Sequence, residues 1–282
     1  MNASSDGGES PGCLFVVSTP IGNLADITLR AIETLRSCDL ILCEDTRHSR
    51  TLLSHHAIET PVQSLHEHNE ARETPRLVER MRQGGRLALI SDAGTPSVSD
   101  PGARLVKGAI AGGVRVVPIP GPSALLAAVV ASGLGDGPFT FFGFLPRKRK
   151  DRDERLADLS TLEHPSVLYE AANRVVATLE ELEGLGLGAR PAAVARELTK
   201  QFEDVRRGTV TQLIEYYRNT PPRGEVVLVV DGAPASVSDP AVMREAARDM
   251  RERGASAREV SQRLVNEFGA SRNVAYRLAH ED

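Results

Sequence analysis

The sequence predicts an α/β protein: two α/β domains with a cleft between them, then a small C-terminal helical segment of helix-turn-helix type. Three observations carry this. Residues 13–119 repeat the order strand, loop, helix, as a mainly parallel, doubly wound sheet requires. Loops rich in proline and glycine sit at the carboxyl ends of three of those strands. After residue 240 the strand pattern stops and helical periodicity alone remains.

Composition bounds the answer. The 282 residues leave room for two domains of ordinary size. With 41% hydrophobic and 26% charged residues the chain reads as soluble and globular. A net charge of −4 excludes a global polycation, so any RNA-binding surface must be local. No run approaches the ~18 apolar residues of a membrane helix, and no membrane partner is expected. Residues 1–12 are rich in Ser, Gly and Glu and lack the basic start and apolar stretch of a signal peptide; a disordered tail is expected. Cys13, Cys38 and Cys43 are odd in number with no paired spacing, which suits a reducing cytoplasm better than a disulfide framework.

In chain order, Cys13 to Val17 is an apolar strand, followed by Thr19-Pro20-Ile21-Gly22-Asn23. Thr28 caps a helix with Leu29, Ile32 and Leu35 on one face. Leu40 to Cys43 is the next strand and ends in Glu44-Asp45-Thr46-Arg47-His48. Val62 to Leu65 is the third, closed by His66-Glu67-His68-Asn69-Glu70, and a helix runs from Glu70 to Gln83. Leu87 to Ile90 opens into Ser91-Asp92-Ala93-Gly94-Thr95-Pro96; Asp100 then caps a helix with Pro101 in its first turn. Val114 to Ile119 ends in Pro120-Gly121-Pro122-Ser123-Ala124 and completes the first domain, residues 13–120. Ligands of open α/β sheets bind at this edge.

The second domain, residues 121–234, is expected to have a mixed sheet. Leu125 to Ala131 is a small apolar helix and Phe139 to Phe144 an aromatic strand. Residues 147–155 read as a charged loop of six basic and three acidic side chains. Val167 to Tyr169, Ala192 to Ala195 and Val226 to Val230 are strands, with helices around 174–183 and 209–218 between them. Residues 235–240 are a linker, and 241–282 hold helices at 241–253, 257–268 and 271–280. That segment carries eight arginines and five acids between Arg244 and Arg277. It is either a charged hairpin packed on the body or a module that touches RNA.

The chain has no G-x-G-x-x-G, no P-loop and no nucleophile elbow. Its clustered histidines lack the i, i+4 spacing beside a glutamate that zinc proteases use, and no metal is expected. The three loops face a common cleft with backbone donors and acceptors, and Asp92 there offers an acceptor for a hydroxyl or an amine.

Eight strings in order, TPIGNLADITLRA, CEDTRHS, HEHNE, SDAGTPSVSDPG, VVPIPGPSA, GFLPRK, ARELTKQFED and RGEVVLVV, resemble the ribosomal RNA small-subunit methyltransferase I family of the tetrapyrrole-methylase superfamily. The resemblance runs from Leu14 to Val230 and more weakly through the helical tail. It implies S-adenosylmethionine (SAM) bound between two α/β domains, a homodimer, and 2′-O-methylation of a decoding-site cytidine in the 16S rRNA of the small ribosomal subunit. Position by position, it places Pro20 and Gly22 in the first cleft loop. Ser91, Asp92, Ala93, Gly94 and Pro96 match the loop that cradles the methionine end of SAM. Pro120, Gly121, Pro122 and Ser123 match the inter-domain loop. Tyr169, Glu170, Gly224 and Glu225 match strand ends in the second domain. Two positions depart from the family: Ser18 replaces Ala or Pro, and Asn173 stands where a histidine precedes Arg174 and cannot take up a proton.

A base for the ribose hydroxyl is expected at a strand's carboxyl end. Glu44 and Asp45 are the preferred pair, with Glu197 and Lys200 as the other candidates. Arg47, Arg196 and the basic run Arg147, Lys148, Arg149, Lys150 are expected to hold RNA phosphates. Two other readings stand beside this one: a small-molecule methylase of the same fold acting on a tetrapyrrole-like compound, and a non-catalytic RNA-binding factor of ribosome assembly.

Overall fold

The structure, a computed structural model, describes residues 12–233 and 240–281. The expected tail lies outside the described residues apart from Gly12, and the expected linker apart from Pro240.

Strands β1 (Cys13–Val17), β2 (Leu40–Cys43), β3 (Val62–Ser64), β4 (Arg86–Ile90) and β5 (Arg115–Ile119) form one sheet in the order β3-β2-β4-β1-β5. Every pairing in it is parallel. Helices α1 (Leu29–Ser37) and α2 (Thr46–His55) cover one face, packing Leu35 and Leu52 over Val17, Ile41 and Ile90. Helices α3 (Glu67–Arg82) and α4 (Ala103–Ala111) cover the other, packing Leu77 and Leu105 over Leu14, Leu42 and Leu89. So β1 and β4 are neighbours, yet their following helices lie on opposite faces. The loops leaving them must diverge, which opens a crevice at the carboxyl edge.

Strands β6 (Thr140–Phe144), β7 (Ser166–Ala171), β8 (Pro191–Arg196), β9 (Asp204–Thr209) and β10 (Glu225–Val230) form a second sheet in the order β6-β7-β10-β8-β9. It is mixed: β6 and β7 are parallel, and the other pairings are antiparallel. Helix α5 (Ala124–Ser132) covers one face, and Ile21 from the loop after β1 joins the same apolar cluster. Helices α6 (Arg149–Thr161), α7 (Val175–Leu182) and α8 (Val210–Asn219) cover the other face. Helices α9 (Pro240–Glu252), α10 (Ala257–Phe268) and α11 (Arg272–His280) close around their own core of Met243, Ala247, Val260, Leu264 and Leu278.

Several expectations are corrected. Asp100 does not cap α4; Gly102 does, at φ 121°, where a side chain would be strained, and its Cβ would lie 3.0 Å from Ser97 Oγ. The segment 66–70 is not a loop but the N-cap and first turn of α3, with the His66 N–H donating to Asn69 Oδ1 at 2.9 Å. The charged run at 147–155 is mostly helix: α6 buries Arg152, Leu156 and Leu159, so an arginine occupies a core position in the i, i+4, i+7 stripe. Strand β9 carries no apolar alternation and was invisible to periodicity; six paired residues along β8 hold it at the sheet edge.

Candidate active site

The three proline- and glycine-rich loops are fastened to one another. Thr19 and Gly94 exchange both backbone hydrogen bonds, at 2.9 and 3.0 Å. Thr19 Oγ1 donates to the Ser91 carbonyl at 3.0 Å. The Ser18 and Thr95 hydroxyls meet at 3.0 Å, and Thr95 Oγ1 reaches the Pro122 carbonyl at 3.5 Å. Gly94 has φ 78°, and a Cβ there would lie 3.4 Å from Ile21 Cγ2. A Cβ on Gly121 would lie 3.0 Å from Ser18 Cβ, so glycine lets the third loop close on the first.

A cavity of about 470 Å³ is lined from both sheets. Ala93, Gly94, Asp100 and Ser123 come from the first side, and Tyr169, Glu170, Gly224 and Glu225 from the second. A second cavity of about 290 Å³ is lined by Pro20, Gly22, His48, Ser49, Ser91 and Asp92. The expected cofactor residues that line a cavity therefore divide between two spaces that share the loop after β4, whereas Pro96, Pro120, Gly121 and Pro122 line neither. Pro96 is buried beneath that loop, and Pro120 is exposed. A groove of about 670 Å³ adjoins the larger cavity through Phe144, Glu170 and Ala171, and adds Arg147, Arg149, Asn173 and Arg174.

The backbone is strained beside the large cavity. Ser97, Ser99, Glu197 and Thr199 all have left-handed φ, between 50° and 67°. Such conformations in non-glycine residues gather where function fixes a loop.

The carboxylates differ in their partners. Asp45 caps α2 through the Arg47 N–H at 2.8 Å and pairs with the Arg47 guanidinium at 3.0 Å. That side-chain hydrogen bond, then the backbone one, holds its carboxyl near 2, so it is a weak base. Glu44 is exposed. Asp92 Oδ1 accepts the Asp45 backbone N–H at 3.3 Å. Lys200 Nζ sits 2.9 Å from Glu197 and 3.1 Å from Glu225. Burial alone would lower the Lys200 pKa, but the bonds to both glutamates outweigh it and raise it; Lys200 lowers the Glu197 carboxyl in return. A lysine held that way keeps its proton at neutral pH. Glu170 is buried, pairs with Arg152 at 3.7 Å and Arg174 at 3.5 Å, and accepts from Thr178 at 2.7 Å. Arg196 pairs with Asp204 at 3.6 Å. Arg147, Lys148, Arg149 and Lys150 are exposed, with Arg149 paired to Asp153 at 3.0 Å.

Two residues escaped the sequence reading. Asp100 lines the cavity; burial, then the Glu44 carboxylate, pushes its carboxyl up to about 6, against the Ser91 hydroxyl. Its place before Pro101 and Gly102 read as a helix cap, and nothing in the sequence distinguishes the two roles. Arg152 could have been found: an arginine in register with Leu156 and Leu159 is out of place on a solvated loop.

The larger cavity suits a sulfonium donor. Its lining contains no Lys, Arg or His, and it offers carboxylates together with the aromatic faces of Tyr169 and Phe144. Among the described residues, no group of three or more His, Cys, Asp or Glu could hold a metal ion. The sequence profile of the tetrapyrrole (corrin/porphyrin) methylases matches residues 13–214. A Synechocystis protein named ribosomal RNA small subunit methyltransferase I is 42% identical over 96% of this chain and 98% of its own. Its namesake in Mesorhizobium japonicum is 50% identical over 81% of this chain and 78% of its own. The chain belongs to the ribosomal RNA small subunit methyltransferase I family of tetrapyrrole methylases. Members of this family are methyltransferases. The fold recurs in a cobalt precorrin-4 methyltransferase at TM-score 0.59 and 19% identity, covering 77% of this chain and 94% of that one. It recurs in a Thermus thermophilus uroporphyrin-III C-methyltransferase complexed with S-adenosyl homocysteine at TM-score 0.55 and 19% identity, covering 78% and 97%.

Proposed function

We propose that this methyltransferase transfers the methyl group of SAM to the 2′-hydroxyl of a decoding-site cytidine in 16S rRNA of the small ribosomal subunit. The observation that carries the reading is identity at 42% over 96% of the chain to a small-subunit rRNA methyltransferase. SAM supplies an electrophilic methyl on a cationic sulfur. The cavity between the sheets holds it, with Ala93, Gly94, Ser123, Tyr169, Gly224 and Glu225 as its walls. Pro20, Gly22, Ser91 and Asp92 face the adjoining smaller cavity.

RNA approaches over the basic groove. Arg147, Arg149 and Arg174 line it, and it opens onto the donor cavity. Arg47, Lys148 and Lys150 are further exposed cations for RNA phosphates, and the half-buried Arg196 is another. The functional units follow the divisions 13–120, 121–234 and 241–282, with the last as an RNA-contacting module. Leu126 and Val130, at i and i+4 on α5, are 53% and 82% exposed, and such an apolar face supports a homodimer. Three buried free cysteines and a ribosomal substrate fit the cytoplasm.

The test is transfer from tritiated SAM to small subunits of a strain lacking this gene, followed by mapping of the labelled nucleoside. Label on a cytidine ribose is the expected result. Label on naked tetrapyrrole, or no transfer, refutes it. Light scattering should give a dimer.

A further inference from the structure

We infer that Asp100 is the proton acceptor for the ribose hydroxyl that receives the methyl group. This rests on the reading above that the acceptor is a hydroxyl.

Partners decide among the carboxylates. Asp100, Glu170 and Glu225 line the donor cavity. Glu170 is held by Arg152 and Arg174, and Glu225 by Lys200. Among the described residues Asp100 has no ion pair. Outside the cavity, Asp45 and Glu197 are held by Arg47 and Lys200. An acid bound to a cation is a poor base, because the cation stabilises the ionised form. Asp100 alone combines a place on the cavity wall with freedom from a cation.

Its backbone is fixed for the purpose. Ser97 and Ser99 precede it at φ 67° and 65°, and Gly102 follows at φ 121°. Gly102 has no room for a side chain against Leu89 and Ser97. Asp100 is thus displaced from the capping position two residues on, which would otherwise occupy its carboxylate. A short run of strained residues that ends on an unpaired acid at a cavity wall is the pattern of a functional loop.

The surroundings make that acid a stronger base than the exposed ones. Glu44 at the end of β2 and Asp92 at the end of β4 repel its ionised form, Tyr169 from β7 stands on the same cavity, and Ser91 offers a hydroxyl. Burial first, then Glu44 and Asp92, bring the carboxyl to about 6 against the lowering effect of the Ser91 hydroxyl, close to working pH, where a general base is most effective. In the step, the O2′–H bond breaks and its proton goes to an Asp100 oxygen. O2′ bonds the methyl carbon, and the carbon–sulfur bond breaks with its electron pair left on sulfur as a neutral thioether. The carboxylic acid then returns its proton to water.

The test compares wild type, Asp100→Asn and Asp100→Glu in single-turnover transfer to small subunits between pH 5 and 8.5. SAM affinity is measured by calorimetry, and the labelled nucleoside is mapped. For wild type, the rate should rise tenfold per pH unit and level off near 6. With SAM saturating, Asp100→Asn should be roughly 10²–10⁴-fold slower and flat with pH, a loss far larger than any change in SAM affinity. Asp100→Glu should keep a pH-dependent rate with a moved midpoint, which also answers the case in which the amide variant fails to fold. An Asn variant with the wild-type profile, or one whose rate falls only as far as its SAM affinity, overturns the assignment while ribose labelling by wild type leaves the functional reading intact. Label on a base carbon or nitrogen overturns both.

Discussion

Replacing Arg152 with methionine should destabilise the second sheet far more than a surface charge would. The Arg152 and Glu170 side chains are 6% and 2% exposed. Arg152 Nη2 lies 2.7 Å from Glu181 Oε2 and donates to Thr178 Oγ1 at 2.8 Å; Thr178 donates on to Glu170 at 2.7 Å. Methionine keeps the length and apolar stem but removes the charge, so Glu170 is left with the half-exposed Arg174 at 3.5 Å. Removing one partner of a buried pair costs about 3–5 kcal/mol; the remaining cation puts this case near the lower end. At a urea slope of about 2–3 kcal/mol per molar that is a midpoint shift of about 1–1.5 M. Tyrosine emission reads it well: the chain has no tryptophan, and Tyr169, Tyr216 and Tyr217 all belong to this half. Adding Glu170→Gln should recover part of the loss, because the stranded charge is then gone. A loss below about 1 kcal/mol, or a second substitution that deepens it, would refute the buried-pair reasoning.

Further outcomes follow from the same geometry. Asp45→Asn should keep the single-turnover rate within about tenfold of wild type, below the loss that removal of a general base causes; a drop of 10³-fold would return Asp45 to the mechanism. Gly94→Val should weaken SAM binding at least about tenfold in calorimetry, since a branched side chain at φ 78° carries roughly 1–3 kcal/mol of strain; unchanged binding would detach this loop from the cofactor. Removing residues 241–282 should leave the body folded, because α9 to α11 have their own core, and should weaken subunit binding most at low salt, with a shallower salt slope than the full chain, while SAM affinity stays. The Asp100 carboxyl sits near 6 when folded against ~3.9 unfolded, so the stability it adds is present below pH 4 and is lost as pH rises through 6. Urea midpoints should therefore show Asp100→Asn at least as stable as wild type at pH 7.5; a clear loss there would contradict the burial of the charge.

Much of the first sheet was legible because each strand is a short apolar run that ends in proline, glycine or a cap. Val17, Ile90 and Ile119 are buried, and a proline or glycine follows each within four residues. The second half was harder. Strand β9, with Arg206 and Arg207 exposed, is a strand only because β8 lies beside it. Helix α6 hid behind its charges, since a buried arginine looks the same in sequence as a solvated one. The site shows the same limit. Sequence placed Gly22, Asp92, Gly94 and Asp100 near strand ends, but which of two cavities each faces depends on how the loops after β1 and β4 diverge.

The charge layout of the cleft accounts for an acidic chain acting on a polyanion. The donor cavity has carboxylates and no basic side chain, whereas the adjoining groove carries Arg147, Arg149 and Arg174. On the proposed reading, a cationic donor would be stabilised deep between the sheets, where screening is weak; phosphates would be stabilised at the rim, and the acids behind it would repel them from the donor site. Glu170 borders both spaces, and its two arginines keep its charge from weakening the rim. The net charge of −4 therefore does not oppose RNA binding, since the field that steers a phosphate backbone is set by the cations nearest its path. The same layout makes binding to subunits fall with salt while binding of the small donor, enclosed and short-ranged, changes little.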